Sequence, residues 1–196
     1  MRYVLPGMGA TNAMFKGPWR GLGIIQFLDW PEDSRAESIK SLAREIIQQV
    51  GIKPGDTVMG TSLGGIVACE ISNQLPLDQL ILIGNATKKD EINPLLRTLS
   101  PLIDLTPLSF VQQSTGSIPS NLTQMFSMGD PQFIRRMSKA VFSWDGHQSN
   151  TRPFRIHGTK DSVIPLPNTV DLKIDGGHLI AMTHPEECTE AIRNLI

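Results

Sequence analysis

The sequence has little of what marks several whole classes of protein. Only two of its 196 residues are cysteines, Cys69 and Cys188, and both lie on apolar faces of predicted helices, as thiols do in a reducing compartment. No window reaches the roughly 18 apolar residues of a membrane span. The N-terminus has no apolar core of the kind that signal peptides contain. We therefore expect no disulfide framework, no membrane span and a cytoplasmic location.

A surplus of charge of one sign is also absent. The 18 lysines and arginines nearly balance the 19 aspartates and glutamates, so the formal net charge is −1. This balance gives no electrostatic reason to expect nucleic acid or an anionic membrane surface as a partner. Hydrophobic residues make up 40% of the chain, and its length suits one domain, residues 1–196, with a sizeable core.

Short apolar runs recur along most of the chain and predict strands. The six runs are Arg2–Gly7, Gly23–Trp30, Asp56–Gly60, Leu80–Gly84, Phe154–His157 and Val170–Ile174. The sixth run alternates apolar and polar residues, which is typical of a half-exposed strand at a sheet edge.

Helical patterns lie between these runs. The clearest cover Ile39–Val50 and Pro185–Leu195, each with an apolar stripe at helical spacing. Ser34 and Glu37 have the spacing of a capping box before the first of these helices, and Gly51 suits its end. Strands that alternate with helices predict an α/β fold, with a mostly parallel six-stranded sheet flanked by helices.

The stretch VMGTSLGGIVA, from Val58 to Ala68, places Ser62 between Gly60 and Gly64. An ordinary strand-to-helix turn would use glycine only for its backbone freedom. A nucleophile elbow also explains the spacing, because its sharp turn crowds the positions two before and two after the serine. The elbow places the N–H of Leu63 at a helix N-terminus, where it faces an oxyanion. We therefore predict that Ser62 is a nucleophile.

A serine nucleophile needs a base, and the chain has four histidines. His147 lies in a polar turn, His157 within the fifth strand, where a structural role is expected, and His184 where a helix cap explains it. His178 follows the sixth strand after two glycines, at the strand's C-terminal end. Ligands of open α/β sheets bind at that edge, where Ser62 also lies, so we predict that His178 is the base.

Two aspartates are candidates for the acid that orients His178. Asp161 follows the fifth strand at the same edge and gives the chain order Ser62, Asp161, His178. Asp175 is nearer to the histidine in sequence, but it lies just past the edge strand and is more plausible as a turn former. We favour Asp161, with Asp175 as the alternative.

The loop after the first strand, LPGMGAT, is the expected source of a second oxyanion donor. Gly7 and Gly9 allow the backbone of this loop to turn its N–H groups inward, and we choose Met8 as the donor. The alternative is that Pro-Gly-x-Gly is only a turn.

Residues 87–150 interrupt the alternation of strands and helices. They contain several prolines and short helical patterns but no convincing strand, and they are too long for a bare loop. We predict that they form a helical lid inserted after the fourth strand. Trp144 in this insertion, and Met14, Phe15 and Trp19 just past the oxyanion loop, are candidates for lining an apolar acyl pocket, with core packing as the alternative.

These motifs together resemble the α/β-hydrolase superfamily. GTSLGG resembles its nucleophile elbow, GTKDSVIP its acid loop, and GGHLIAMTHPEE its histidine loop and final helix. The chain departs from the family pattern in opening at the strand that leads to the oxyanion loop, and in having Pro-Gly where many members have His-Gly. The resemblance implies a compact serine hydrolase of the esterase type.

We therefore expect a hydrolase of carboxylic esters or related acyl bonds, with a small-molecule acyl substrate of small or medium size. The sequence shows no metal-ligand cluster and no phosphate-binding loop, so no cofactor and no metal are expected. Two other interpretations stay open: an acyltransferase or lyase with the same triad, and a ligand-binding module without turnover. The apolar residues of the insertion fit a monomer or a homodimer equally well.

Overall fold

The computed structural model describes residues 1–93 and 130–196. Their centre is one sheet of six strands, in which every pair of neighbours is parallel. The strands are β1 (Arg2–Leu5), β2 (Gln26–Phe27), β3 (Thr57–Thr61), β4 (Gln79–Ile83), β5 (Pro153–Gly158) and β6 (Leu172–Ile174). Each lies within or beside one of the predicted runs, so the predicted α/β fold and parallel sheet are confirmed.

Helices cover both faces of the sheet. In the described residues they are α1 (Ile39–Val50), α2 (Leu63–Gln74), α3 (Pro131–Phe142), α4 (Ile180–Thr183) and α5 (Pro185–Arg193). Three 3-10 turns accompany them at Asn12–Met14, Gly17–Gly21 and Lys89–Glu91. No helix in this part of the chain is long and apolar enough to cross a membrane.

The start of α1 corrects one prediction. The capping box is formed by Ser38 and Ser41, each of which binds the backbone N–H of the other, and not by Ser34 and Glu37. The Ser34 hydroxyl instead donates to the carboxylate of Glu45, 2.7 Å away, so it does not cap the helix. The predicted end is confirmed, since Gly51 adopts the left-handed conformation with φ of 76°.

Two apolar cores lie on opposite faces of the sheet. Along β4, Leu80 and Leu82 pack with α1, α2 and α3 in one core, whereas Ile81 and Ile83 pack with α5 in the other. Successive side chains of a strand point to opposite faces, so a strand covered on both sides is apolar at every position. This burial explains why the fourth run has no polar alternation.

The edge strands are shorter than predicted. β2 has two residues where the run Gly23–Trp30 predicted a longer strand, and β6 begins at Leu172 rather than Val170. Both lie at the ends of the order β2-β1-β3-β4-β5-β6, where a strand has a ladder partner on one side only. The predicted edge position of the sixth strand is confirmed. The last helix is also shorter, ending at Arg193 rather than Leu195.

The strand order places a crevice at the centre of the molecule. β2 lies on one side of β1 and β3 lies on the other, so the order of the strands reverses between β1 and β3. The connections that follow two such strands run to opposite faces of the sheet. They leave a crevice at the carboxyl ends of the two strands. The loop after β1 and the turn after β3 therefore meet there.

The predicted insertion follows β4, and part of it is described. Its described residues form the 3-10 turn Lys89–Glu91 and helix α3, and the rest of it, residues 94–129, lies outside the described part of the chain. The backbone N–H of His147 donates to the carbonyl of Thr87 at 2.8 Å, which joins the two ends of the insertion. The two ends therefore leave the sheet domain at one point.

Candidate active site

The turn from β3 into α2 holds Ser62 in an unusual backbone conformation. Its φ is 52° and its ψ is −122°, and only one other non-glycine residue of the described chain, Asp33, has a positive φ. Such a conformation is strained for a residue with a Cβ and persists only where its surroundings enforce it. The turn leaves Ser62 half-buried at the start of α2, beside the crevice.

Gly60 and Gly64 lie where any side chain would overlap the backbone. A Cβ on Gly60 would approach the carbonyl carbon of Gly64 to 2.3 Å, and a Cβ on Gly64 would approach the Pro6 oxygen to 2.3 Å. Backbone atoms cannot rotate away as a side chain can, so both positions require glycine. The spacing that the sequence shows is thus explained by close packing of β1, β3 and α2.

The structure brings Ser62, His178 and Asp161 together. The Ser62 Oγ lies 2.9 Å from His178 Nε2, and His178 Nδ1 lies 2.8 Å from Asp161 Oδ2. Because a carboxylate only accepts hydrogen bonds, Nδ1 carries the proton and Nε2 is free to accept from the serine hydroxyl. These residues come from the ends of β3, β5 and β6, and His178 and Asp161 are buried.

The carboxylate of Asp161 is held in its ionised form. Its Oδ1 accepts the backbone N–H groups of Val163 and Ile164, both at 2.9 Å, while Oδ2 faces His178. Burial alone would raise the pKa of Asp161, but hydrogen bonds from His157, His178 and the backbone outweigh it and hold the pKa well below its usual range. The carboxylate is therefore ionised at neutral pH.

The alternative acid, Asp175, does not reach His178. Its carboxylate is exposed and contacts Lys160 Nζ at 2.8 Å and the hydroxyl of Thr159 at 3.3 Å. These contacts link the loop after β5 to the loop after β6. Asp175 is therefore a turn residue, as its place just past the edge strand suggests.

His157 lies against Asp161, a contact that the sequence analysis did not foresee. Its ring is fully buried, and Nε2 lies 2.8 Å from the Ile164 carbonyl and 3.3 Å from Asp161 Oδ2. Since a carbonyl only accepts, Nε2 carries a proton and shares it between the two oxygens. The sequence could have indicated this contact, because His157 lies near the end of β5 and Asp161 follows four residues later.

The two predicted oxyanion donors lie in segments next to Ser62: Leu63 follows it in the chain, and Met8 follows Gly7 in the loop after β1. In the described residues, the N–H groups of Leu63 and Met8 donate no hydrogen bond to the protein. A Cβ on Gly7 would lie 3.7 Å from the Ser62 Cβ, so the loop after β1 lies directly beside the serine. Two unused N–H groups, one of them at a helix N-terminus, are thus available for a negative oxygen.

The four candidate pocket residues pack in the cores. Met14, Phe15 and Trp19 are buried on the α5 side of the sheet, where the Trp19 indole donates to the carbonyl of Ala181 at 2.8 Å. Trp144 is buried on the other side and donates to the Glu70 carboxylate at 3.0 Å. At 6% exposure or less, these side chains fit the core-packing alternative, and their role as pocket residues stays a prediction.

The other chemically active side chains in the described residues form no second centre. No group of three or more His, Cys, Asp and Glu side chains in residues 1–93 and 130–196 is placed to hold a metal ion. Cys69 and Cys188 are both free and buried. Burial raises the pKa of the Cys188 thiol to about 12 and raises that of Cys69 as well, so neither is a nucleophile at neutral pH.

Comparisons with known proteins give a fold but no near relative. No protein-family model matches the chain, and no curated protein matches its sequence. A hydrolase from Oleispira antarctica aligns over 100% of this chain and 90% of its own, with a TM-score of 0.77 and 15% identity. A lipase-esterase related protein from Clostridium acetobutylicum ATCC 824 aligns over 100% of this chain and 94% of its own, with a TM-score of 0.77 and 13% identity.

A third similar structure is the enol-lactonase from Burkholderia xenovorans LB400. It aligns over 98% of this chain and 90% of its own, with a TM-score of 0.70 and 12% identity. Likeness at such low identity concerns the fold. The chain has the α/β-hydrolase fold, as the resemblance of its motifs predicts.

Proposed function

We propose that the chain is a serine hydrolase that cleaves carboxylic esters, or related acyl bonds, of small or medium apolar substrates. The observation that carries the proposal is the unbroken run of hydrogen bonds from Ser62 Oγ through His178 to Asp161. A serine hydroxyl is a weak nucleophile by itself, and this run supplies the base and the group that orients it.

In the first half of the reaction, Ser62 Oγ attacks the carbonyl carbon of the ester. His178 Nε2 takes the hydroxyl proton as the new bond forms, and the carbonyl electrons move to the oxygen. The C–O bond to the alcohol then breaks, and His178 gives its proton to the leaving oxygen. The product is an acyl-enzyme on Ser62 and a free alcohol.

In the second half, water replaces the alcohol. His178 takes a proton from the water as its oxygen attacks the acyl carbon, and then returns that proton to Ser62 Oγ as the acyl bond breaks. Asp161 keeps His178 in the required tautomer and stabilises the imidazolium that forms twice in each cycle. Its strongly favoured ionised form supports that role.

The oxygen that becomes negative in both halves is assigned to the N–H groups of Leu63 and Met8. Each lacks a partner in the described protein, and each belongs to a segment that lies next to Ser62. Donors fixed before the reaction stabilise developing charge without further reorganisation, and removal of one such donor typically lowers the turnover rate by about 10²–10³-fold.

We also propose that residues 87–150 act as a lid within a single domain. The described helix α3 supports this, because it packs beside the oxyanion loop: the Ser138 hydroxyl lies 3.4 Å from Met8 Sδ, and Phe133 packs on Trp30. A lid at this place borders the crevice at the oxyanion loop, where exclusion of water favours apolar substrates.

The test is hydrolysis of a panel of p-nitrophenyl esters of increasing acyl length, with a lactone included because one similar structure is an enol-lactonase. We expect turnover by the native chain and a loss of about 10⁴-fold or more in Ser62→Ala and His178→Gln. Matched controls are Ser72→Ala, on the same helix, and His147→Gln, in the insertion; both should keep activity.

Products distinguish hydrolysis from acyl transfer. With an added alcohol or amine, a hydrolase still releases mainly the free acid, whereas a transferase releases the new ester or amide. A folded native chain that turns over no ester and loses nothing on Ser62→Ala would contradict the proposal and favour a ligand-binding module.

A further inference from the structure

The carbonyl of Gly7, in the loop after β1, accepts two hydrogen bonds. The indole N–H of Trp30 donates to it at 3.0 Å, and the backbone N–H of Ala10 donates to it at 3.1 Å. The second bond lies within the loop itself. The first comes from a half-buried side chain that follows β2, distant in sequence from the loop it holds.

A bond to this carbonyl fixes the direction of the neighbouring N–H. The peptide between Gly7 and Met8 is trans, so the Met8 N–H points opposite to the Gly7 carbonyl. With the carbonyl held toward Trp30, the N–H faces away from the indole. Because Gly7 has no Cβ, its peptide can rotate at little steric cost unless such a bond restrains it.

We propose that Trp30 is a positioning residue for the oxyanion hole: its indole N–H holds the Gly7–Met8 peptide in the orientation that presents the Met8 N–H to the substrate oxygen. This inference rests on the proposed function. It adds a residue that touches neither the substrate nor the triad and that acts through the peptide it binds.

The residue before Trp30 holds the other end of the same loop. The two carboxylate oxygens of Asp29 each lie 2.6 Å from Asn12, one from its backbone nitrogen and one from its side-chain nitrogen. Asp29 and Trp30 thus hold the segment from Gly7 to Asn12 at both ends. The segment after β2 therefore restrains the loop after β1 as well as connecting β2 to α1.

The decisive variant is Trp30→Phe, which keeps an aromatic ring against Phe133 and removes the N–H donor together with part of the indole ring. We expect kcat to fall by about tenfold with KM unchanged, a part of the loss that follows complete removal of an oxyanion donor. A general disturbance of the crevice would instead raise KM.

A second measurement isolates the oxyanion. A trifluoromethyl ketone with the alkyl chain of the best ester forms a hemiketal with Ser62: Oγ bonds to the carbonyl carbon, its proton passes to His178, and the carbonyl oxygen becomes negative. We expect Trp30→Phe to weaken binding of this ketone by the same factor as it lowers kcat/KM. Binding of the corresponding alcohol, which forms no oxyanion, should not change.

The control is Gln79→Met, which removes the 2.7 Å hydrogen bond from the Gln79 side chain to the Leu195 carbonyl. Gln79 begins β4, so it lies at the amino ends of the strands, opposite the crevice at their carboxyl ends. This variant should leave kcat, KM and ketone binding at native values. Equal thermal unfolding of both variants would exclude a difference in folded fraction.

Each outcome has a definite consequence. An active native chain with a Trp30→Phe variant of native kcat, or with equal losses in ketone and alcohol binding, overturns the positioning role and leaves the proposed function in place. A native chain that is inactive and binds no ketone overturns the proposed function and this inference with it.

Discussion

The elbow around Ser62 and the acid loop around Asp161 (residues 159–164) hold their reactive groups in different ways. The elbow fixes Ser62 by shape: Gly60, Gly64 and the backbone of β1 approach so closely that the turn has no room to relax. The acid loop fixes Asp161 by hydrogen bonds to a charge, from two histidines and two backbone N–H groups.

This difference has a consequence for pH. Steric fixation does not depend on protonation, so the elbow keeps its shape wherever the protein is folded. Fixation by a carboxylate weakens once the carboxylate gains a proton. Substitutions in either region should therefore lower stability and activity, but the loss of stability should depend on pH only for the acid loop.

The largest effect is expected from Gly64→Ala. Its new methyl group would lie 2.3 Å from the Pro6 oxygen and 2.5 Å from the Leu5 oxygen, so β1 and α2 must separate. We expect a loss of about 3 kcal/mol in the free energy of unfolding, as overpacking against backbone produces, and no measurable turnover.

The matched control for that variant is Gly7→Ala, measured for stability alone. A methyl group there meets nothing closer than the Ser62 Cβ at 3.7 Å, and we expect a change of less than about 1 kcal/mol. Denaturant unfolding at pH 4 and pH 7 should give the same loss for Gly64→Ala. A loss that depends on pH would contradict steric fixation.

The next largest effect is expected from Asp161→Asn. The amide can donate to His178 and so favours the wrong tautomer, and we expect kcat to fall by about 10³–10⁴-fold. The matched control, Asp175→Asn, removes a carboxylate that contacts only Lys160 and Thr159, and should change kcat by less than about twofold. Equal losses in the two variants would reverse the choice of acid.

Asp161→Asn should also lose stability in a pH-dependent manner. The pKa of Asp161 is held below its unfolded value of about 3.9, so the carboxylate stabilises the fold above that pH, and this stabilisation is lost as pH falls through the lower folded pKa. We expect the variant to be about 2 kcal/mol less stable than the native chain at pH 7. The gap should narrow in acid, as urea unfolding between pH 3 and pH 7 would record.

A smaller effect is expected from His157→Leu, which removes a donor from Asp161 without touching Ser62 or His178. The pKa of Asp161 should rise toward its usual range, and kcat should fall by about tenfold. His157→Gln keeps an N–H near the position of Nε2 and should recover most of the activity. Failure of glutamine to recover more than leucine would show that the ring matters only for packing.

Much of the fold and of the site can be predicted from the sequence because the constraints act over short distances. The elbow requires small residues at Gly60 and Gly64, and the ends of parallel strands share one edge, which brings His178 and Asp161 toward Ser62. The capping residues of α1 were placed wrongly because several serines near its start meet the same local rule.

Contacts between distant segments could not be predicted in this way. The bond from Trp30 to Gly7 joins residues 23 apart, and no local pattern marks the tryptophan for it. The same is true of Met14, Phe15 and Trp19, whose apolar character fits a pocket and a core equally well until the sheet face is known. The short length of β2 could not be predicted either, because it follows from the position of β2 at the end of the sheet, with one neighbouring strand.

The most direct test of Ser62 as an activated nucleophile is covalent labelling with a fluorophosphonate probe, followed by mass spectrometry of the intact chain and its peptides. The native chain should gain one probe group, on Ser62, while Ser62→Ala gains none, His178→Gln reacts far more slowly and Ser72→Ala reacts like the native chain. No labelling of the folded native chain, or labelling at another residue, would contradict the assignment of Ser62.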